Sequence, residues 1–196
     1  MNKEIEEKIF AEYEKTLVIP NIKPSRQFLL CPVGLVGAGK TTVVKPLAEK
    51  LGLVRISGDE IRGLLKKNGF GYEKTFEIGS RLAENFLGDG YSVAIDSDCA
   101  SEHTRKLIKD AKNKYGAIAI WIHINPPEEF ILNKLKNHKP TWLFKSPDVA
   151  IKNYLERKPL HEKLEMEFTY IFDTSKENLP KQIEEAFTII KNKLNI

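Results

Sequence analysis

One stretch near the start of the chain combines the residue types needed to hold a phosphate: Gly34-Leu35-Val36-Gly37-Ala38-Gly39-Lys40-Thr41. It fits the pattern GxxxxGK[ST] and stands between an apolar run, Phe28–Val33, and a helical stretch from Lys40 to about Leu51. Glycines let the backbone turn so that its N–H groups converge on an anion at a helix N-terminus. Lys40 adds a point charge for the β- and γ-phosphates, and the Thr41 hydroxyl is a ligand for Mg2+. Gly34, Gly37, Ala38, Gly39, Lys40, Thr41 and Thr42 are therefore the candidate residues for binding ATP or GTP. A bare glycine turn is the plain alternative. The register of strand, loop, Lys-Thr and helix argues against it.

A second carboxylate comes from Ser92-Val93-Ala94-Ile95-Asp96, where apolar residues deliver Asp96 to the end of a strand. There it can hold the same metal as Thr41, directly or through water, and Asp98 can share the role. Nothing nearby activates water. A motor ATPase carries a glutamate beside this aspartate, whereas here Ser97 follows. A GTPase switch would show DxxG and NKxD; the chain has Asp96-Ser97-Asp98-Cys99, and Asn133-Lys134-Leu135-Lys136 with lysine in place of the base-reading aspartate.

Ile56-Ser57-Gly58-Asp59-Glu60-Ile61-Arg62 directly follows another strand, where an acceptor would face the γ-phosphate. Asp59 and Arg62 are three apart and share a helical face. Asp59 can orient an acceptor hydroxyl and take its proton, and Arg62 can clamp an anionic group. Asp at a helix start is also favoured by capping alone, but Ser57-x-x-Glu60 has the form of a capping box and leaves Asp59 free for other work.

With these residues in place, the chain resembles the small P-loop kinases related to polynucleotide 5′-hydroxyl kinases and zeta-toxin-like kinases. The resemblance covers roughly residues 28–175 and rests on Gly34–Thr41, Asp59-x-x-Arg62, and Val93-Ala94-Ile95-Asp96 followed by Ser101 and Arg105. Adenylylsulfate kinases are similar through Gly58–Arg62 and Gly69-Phe70. The resemblance implies a sheet order of 2-3-1-4-5, Asp59 as general base, Arg62 as acceptor clamp, and a lid after the fourth strand whose basic residues reach the ATP phosphates. Family lids present arginines. Here the corresponding stretch, Asn133–Lys139, supplies lysines, and Arg157 is the only arginine of the lid region. Lysine keeps the charge but loses the bidentate fork. Lys134 and Arg157 are the lid candidates for ATP. Phe172-Asp173-Thr174-Ser175 resembles the loop beside the adenine, which adds Thr174; a turn leading into a helix cap explains that stretch equally well.

The elements that must position these groups alternate along the chain. Strands are predicted at Phe28–Val33, Leu53–Ile56, Tyr91–Ile95, Ala117–Ile124 and Phe168–Phe172. Helices are predicted at Lys40–Leu51, Glu60–Lys67, Tyr72–Leu87, Glu102–Lys114 and Glu177–Leu194. Alternation of this kind argues for a parallel sheet covered on both faces, an α/β three-layer sandwich. Ile5, Ile9, Phe10, Tyr13 and Leu17 outline an amphipathic N-terminal helix docked on its own domain. Residues 1–24 are thus helix and connector, 25–196 the kinase domain, and about 126–165 its lid. Between Lys134 and Lys163 eight Lys or Arg face three Asp or Glu, an excess larger than the whole chain's net charge of +4. Such a face can grip phosphates or a nucleic-acid end, although for any single lysine a solvated surface is the plainer account. Within it, Pro140-Thr141-Trp142-Leu143-Phe144 anchors the lid or stacks a base.

At 196 residues, 41% hydrophobic and 30% charged, the composition is that of a soluble globular domain. No apolar run spans a bilayer, the N-terminus lacks a signal core, and Cys31 and Cys99 show no metal spacing. These features predict a cytoplasmic monomer or homodimer with reduced core thiols. His123 reads as a core residue, and His103, His138 and His161 as surface residues. The expected activity is ATP-dependent, Mg2+-requiring transfer of the γ-phosphate to a hydroxyl, with a polynucleotide 5′-OH or nucleotide-like acceptor. A small-molecule kinase acting on adenylylsulfate, a sugar or an antibiotic is the first alternative. A non-catalytic nucleotide-binding regulatory protein is the second.

Overall fold

Six consecutive buried residues make Phe28–Val33 the central strand of the sheet, β1, which is why no polar residue interrupts it. The computed structural model describes residues 3–141 and 143–196; Trp142, a candidate for base stacking, lies outside them. The remaining strands are β2 (Val54–Ser57), β3 (Val93–Asp96), β4 (Ile118–Ile124) and β5 (Tyr170–Phe172). They form one parallel sheet in the order β2-β3-β1-β4-β5, with Leu29 opposite Val93 and Ala119, and Ser57 opposite Asp96. β5 is the short edge strand, and its Ile171 is 59% exposed.

The helices are α1 (Lys3–Glu14), α2 (Lys40–Leu51), α3 (Gly58–Lys67), α4 (Thr75–Gly88), α5 (Glu102–Tyr115), α6 (Glu128–Lys136), α7 (Pro147–Glu162) and α8 (Leu179–Leu194). One face of the sheet carries Phe28, Leu30, Ala94 and Ile122 against Val44, Leu47 and Tyr154 of α2 and α7 and Ala186 and Ile190 of α8. The other carries Leu29, Cys31, Ile56 and Val93 against α1, α3, α4 and α5 through Tyr13, Ile61, Leu82 and Ile108. This is the three-layer α/β sandwich. Cys31 and Cys99 are free and fully buried as neighbours, and burial, together with Cys31, pushes the Cys99 thiol well up. No helix of the described residues is long and apolar enough to cross a membrane.

Several boundaries differ from the sequence reading for local reasons. α1 stops at Glu14 because the Thr16 hydroxyl takes the Tyr13 carbonyl at 2.6 Å. α4 begins only at Thr75, because Tyr72–Lys74 form a turn in which the Thr75 N–H bonds the Tyr72 carbonyl. β2 and β3 run one residue further than expected, to Ser57 and Asp96, and pair there; α3 then starts at Gly58 without a loop. The Ser57–Glu60 capping box is only half made. The Ser57 hydroxyl accepts from the Glu60 N–H at 3.4 Å, but the Glu60 carboxylate turns to Arg55 and Tyr13 instead.

α1 belongs to this framework. Ile9, Phe10 and Tyr13 are buried, Glu6 pairs with Lys74 and Arg81, and the Arg81 guanidinium lies 4.4 Å from the Phe10 ring centre. The Tyr13 hydroxyl accepts from the Ser57 N–H at 2.8 Å and donates to Glu60 at 3.2 Å, which fixes the β2–α3 junction from outside. Tyr13→Phe strands the Ser57 N–H in a buried site, at a cost of about 2 kcal/mol. A fall in melting temperature of roughly 4–8 °C is expected by calorimetry, and an unchanged value would separate α1 from the junction.

Candidate active site

The ends of β1, β2 and β3 open into a cleft of about 890 Å3, between the phosphate loop, α3–α5 and the α6–α7 pair. Its floor is the start of α2. Gly39 sits at the N-cap with φ 91° and no side-chain cap, so the first N–H groups of the helix are left for an anion. A side chain at Gly39 would be strained and would meet Thr174 at 3.2 Å. Thr174 itself does not line the cleft. Its hydroxyl donates to the Ala38 carbonyl at 2.7 Å and braces the loop from behind, while the Asp173 carboxylate accepts from the Ser175 N–H at 3.0 Å, an Asx turn. Ala38 also faces away and is fully buried. Gly34, Gly37, Gly39, Lys40, Thr41 and Thr42 line the cleft.

The Lys40 ammonium donates to the Gly34 carbonyl at 2.7 Å and the Leu35 carbonyl at 3.0 Å. Burial pushes it below its ordinary pKa, opposed by the carboxylates of Asp98, Asp59 and Asp96, while Arg157 adds to the depression. The Thr41 hydroxyl donates to Asp96 at 3.1 Å, so one hydroxyl and one carboxylate face the same point beside Lys40. That donor pair suits Mg2+, which binds few protein ligands and completes its shell with water and phosphate oxygens.

Asp96 has a second partner that leaves no mark in the local sequence. Arg55, in the middle of β2, reaches across to Asp96 and also pairs with Glu60. Burial nevertheless raises the Asp96 carboxyl above its usual range, against the pull of Arg55 and the Thr41 hydroxyl. Arg55→Met leaves a carboxylate with 1% of its side chain exposed without its counter-charge. A loss of about 2–4 kcal/mol is expected in urea unfolding, and a wild-type midpoint would show that Asp96 is compensated elsewhere.

Asp59 and Arg62 both line the cleft too, paired with each other at 2.6 Å. A Cβ at Gly58, just before them, would lie 2.2 Å from the Ser97 hydroxyl, which would have to rotate away. Beyond Arg62 the wall is built by Tyr72, Glu73, Phe76, Ser101 and His103, with the Phe76 and His103 rings 5.7 Å apart. Lys134 of α6 and Arg157 of α7 both reach the cleft from the lid side, and Leu143 and Phe144 close its rim.

Asp98 does not join Asp96 at the metal position. Its Oδ1 accepts from the Gly34 N–H at 3.3 Å and the Ala100 N–H at 3.4 Å, and its Oδ2 lies 3.0 Å from His161 Nε2. Burial works to raise its pKa, but His161, Lys40 and the Gly34 N–H hold it below the usual carboxylate range. This corrects the placing of His161 on the surface: only 8% of its side chain is exposed. His123 stacks on Phe168 at 4.6 Å, and burial and His161 lower its pKa.

Residues 29–159 match the AAA domain family. The chain is similar to the shikimate kinase of Persephonella marina, at 29% identity over 138 residues that cover 64% of this chain and 78% of that one. The fold is shared with the Mycobacterium tuberculosis APS kinase CysC solved with AMPPNP and APS, at 15% identity and a TM-score of 0.57, covering 86% of this chain and 99% of that one. It is shared over 99% of this chain and 98% of the other with a chain of the PezAT toxin–antitoxin system of Streptococcus pneumoniae, at 13% identity and a TM-score of 0.63. With the phosphate loop, the sheet order and the family match in agreement, the chain belongs to the AAA domain family of P-loop kinases.

Proposed function

We propose that this kinase moves the γ-phosphate of ATP to a hydroxyl of a small acceptor that binds beside Asp59 and Arg62. One observation carries the reading: the Lys40–Thr41–Asp96 cluster and the Asp59–Arg62 pair line the same cleft. Donor phosphates lie in the loop Gly34–Thr42 with Lys40 on their terminal oxygens. Mg2+, held by the Thr41 hydroxyl and the Asp96 carboxylate, would neutralise charge on the β- and γ-phosphates. Arg62 turns from Asp59 to an anionic group of the acceptor, which frees Asp59 to accept the hydroxyl proton. Lys134 and Arg157 close on the phosphates as the region of about 126–165 acts as a lid. The transition state is loose, so positioning and charge neutralisation account for most of the rate.

Two of the relatives are a shikimate kinase and an APS kinase, and a cleft of about 890 Å3 suits a nucleotide together with a small acceptor. A polynucleotide 5′ end is the second reading, favoured by the lysine excess of the lid, where Lys136, Lys139 and Lys145 add charge beyond the cleft. Residues 1–24 act as an outer brace to a kinase domain of 25–196, and the protein works in the cytoplasm. Transfer of labelled γ-phosphate from ATP or GTP to shikimate, gluconate, adenylylsulfate, and 5′-hydroxyl RNA and DNA tests the proposal. Transfer to a small acceptor supports the first reading and transfer only to nucleic acid the second. A nucleotide-bound protein that labels none of them favours a regulatory role.

A further inference from the structure

We infer that His161 is a positioning residue that sets Arg157 over the phosphate loop by locking the end of the lid helix to Asp98. The inference rests on the reading of Arg157 as a donor-phosphate contact. His161 lies in the last turn of α7, and its Nε2 is 3.0 Å from Asp98 Oδ2. With Asp98 as the acceptor, the ring proton sits on Nε2, and Nδ1 is buried without a partner. The ring has therefore been drawn out of water for a single bond, an arrangement that costs stability unless the bond fixes something. What it fixes is visible at the other end of the carboxylate, which takes the N–H groups of Gly34 and Ala100. One side chain thus ties together the first residue of the phosphate loop, the loop after β3, and the lid.

Arg157 is four residues before His161, on the same face of α7, and reaches the cleft. Between them stands Pro159, which cannot supply the N–H that would bond the Leu155 carbonyl. The turn of the helix that carries Arg157 thus lacks one of its backbone hydrogen bonds. Lys158 pairs with Glu128 and Glu162, but these partly exposed contacts tie α7 only to α6 and to itself, within the lid. Ile131 and Leu135 of α6 pack against Gly37, and Ala150 and Tyr154 of α7 sit in the core, whereas the polar link from the last turn of α7 to the phosphate loop is the buried His161–Asp98 bond. Sequence reading had no signal for it, because the partners are 63 positions apart.

A double-mutant cycle on the affinity for the Mg2+ complex of a non-hydrolysable ATP analogue, measured by titration calorimetry, tests this. Arg157→Ala should weaken binding about tenfold and His161→Ala about fivefold, and the double variant should bind within about twofold of Arg157→Ala alone. His161→Gln, which keeps an N–H donor at similar reach, should stay within about threefold of the parent. Should His161→Ala fail to fold, His161→Phe fills the same space without a donor and takes its place in the cycle. Multiplying effects would mean that His161 acts independently of Arg157, and the inference would be wrong. Parental affinity of the His161 variants, with Arg157→Ala weakened, has the same consequence and leaves the phosphate reading standing. Parental affinity of Arg157→Ala overturns both.

Discussion

Replacing Lys40 by alanine lowers phosphoryl transfer by roughly a thousandfold and removes most of the stabilisation by ATP–Mg2+. The ammonium is buried, bonded to the Gly34 and Leu35 carbonyls, and surrounded by Asp96, Asp98 and Asp59. Without it three carboxylates face the incoming triphosphate with no opposing charge on the loop. Backbone N–H groups at the uncapped start of α2 would still offer partial positive charge, so some binding persists. The effect should therefore fall more on the reaction than on the affinity, because charge on the transferring group grows towards the transition state. Steady-state kinetics beside a thermal shift series separate the two. A variant with parental transfer would remove the phosphate loop from the account.

Asp59→Ala is expected to cut transfer by at least a hundredfold while the affinity for ATP–Mg2+ stays within about threefold. Asp59 and Arg62 make a pair in the cleft, with 55% and 34% of their side chains exposed, so neither supports the core. The loss should appear in kcat, since the missing group acts on the acceptor proton. Freed of its partner, Arg62 can bind an anionic acceptor more tightly, so KM for the acceptor should not rise. A rise in KM with kcat unchanged would make Asp59 a binding group and not the base. Asp59→Asn checks the same point, because it keeps the shape and a hydrogen bond but cannot accept the proton.

Much of this architecture could be read from local sequence. The strand, glycine loop and helix around Gly34–Thr41 are adjacent in the chain, and the chemistry that demands them is carried by consecutive residues. Five apolar runs separated by helical stretches gave the parallel sheet, because strands buried on both faces cannot carry alternating polar residues. Element ends were less legible. A threonine hydroxyl at residue 16 ends α1, and pairing across the sheet extends β2 and β3, neither of which leaves a mark in hydrophobic periodicity.

The candidate site divides the same way. Asp96 ends a strand, while Lys40, Thr41, Asp59 and Arg62 lie in the first two turns of the helices that follow β1 and β2, where motif spacing marks them, and all five reach the cleft. Arg55, Asp98 with His161, and Tyr13 act through partners 41 to 63 positions away. A lone charge inside a strand or a histidine in a charged helix looks like surface until the fold brings its partner near. Thr174 is the converse case. Its motif resembled a loop beside adenine, yet its hydroxyl is spent on the Ala38 carbonyl.

Crystals grown with the Mg2+ complex of a non-hydrolysable ATP analogue put the central assignment to the most direct test. The γ-phosphate should lie within hydrogen-bond reach of Lys40, with the metal on the Thr41 hydroxyl and the Asp96 side and the opening towards Asp59 left clear. Phosphates bound away from Gly34–Thr42, or a metal held without Thr41 and Asp96, would contradict it.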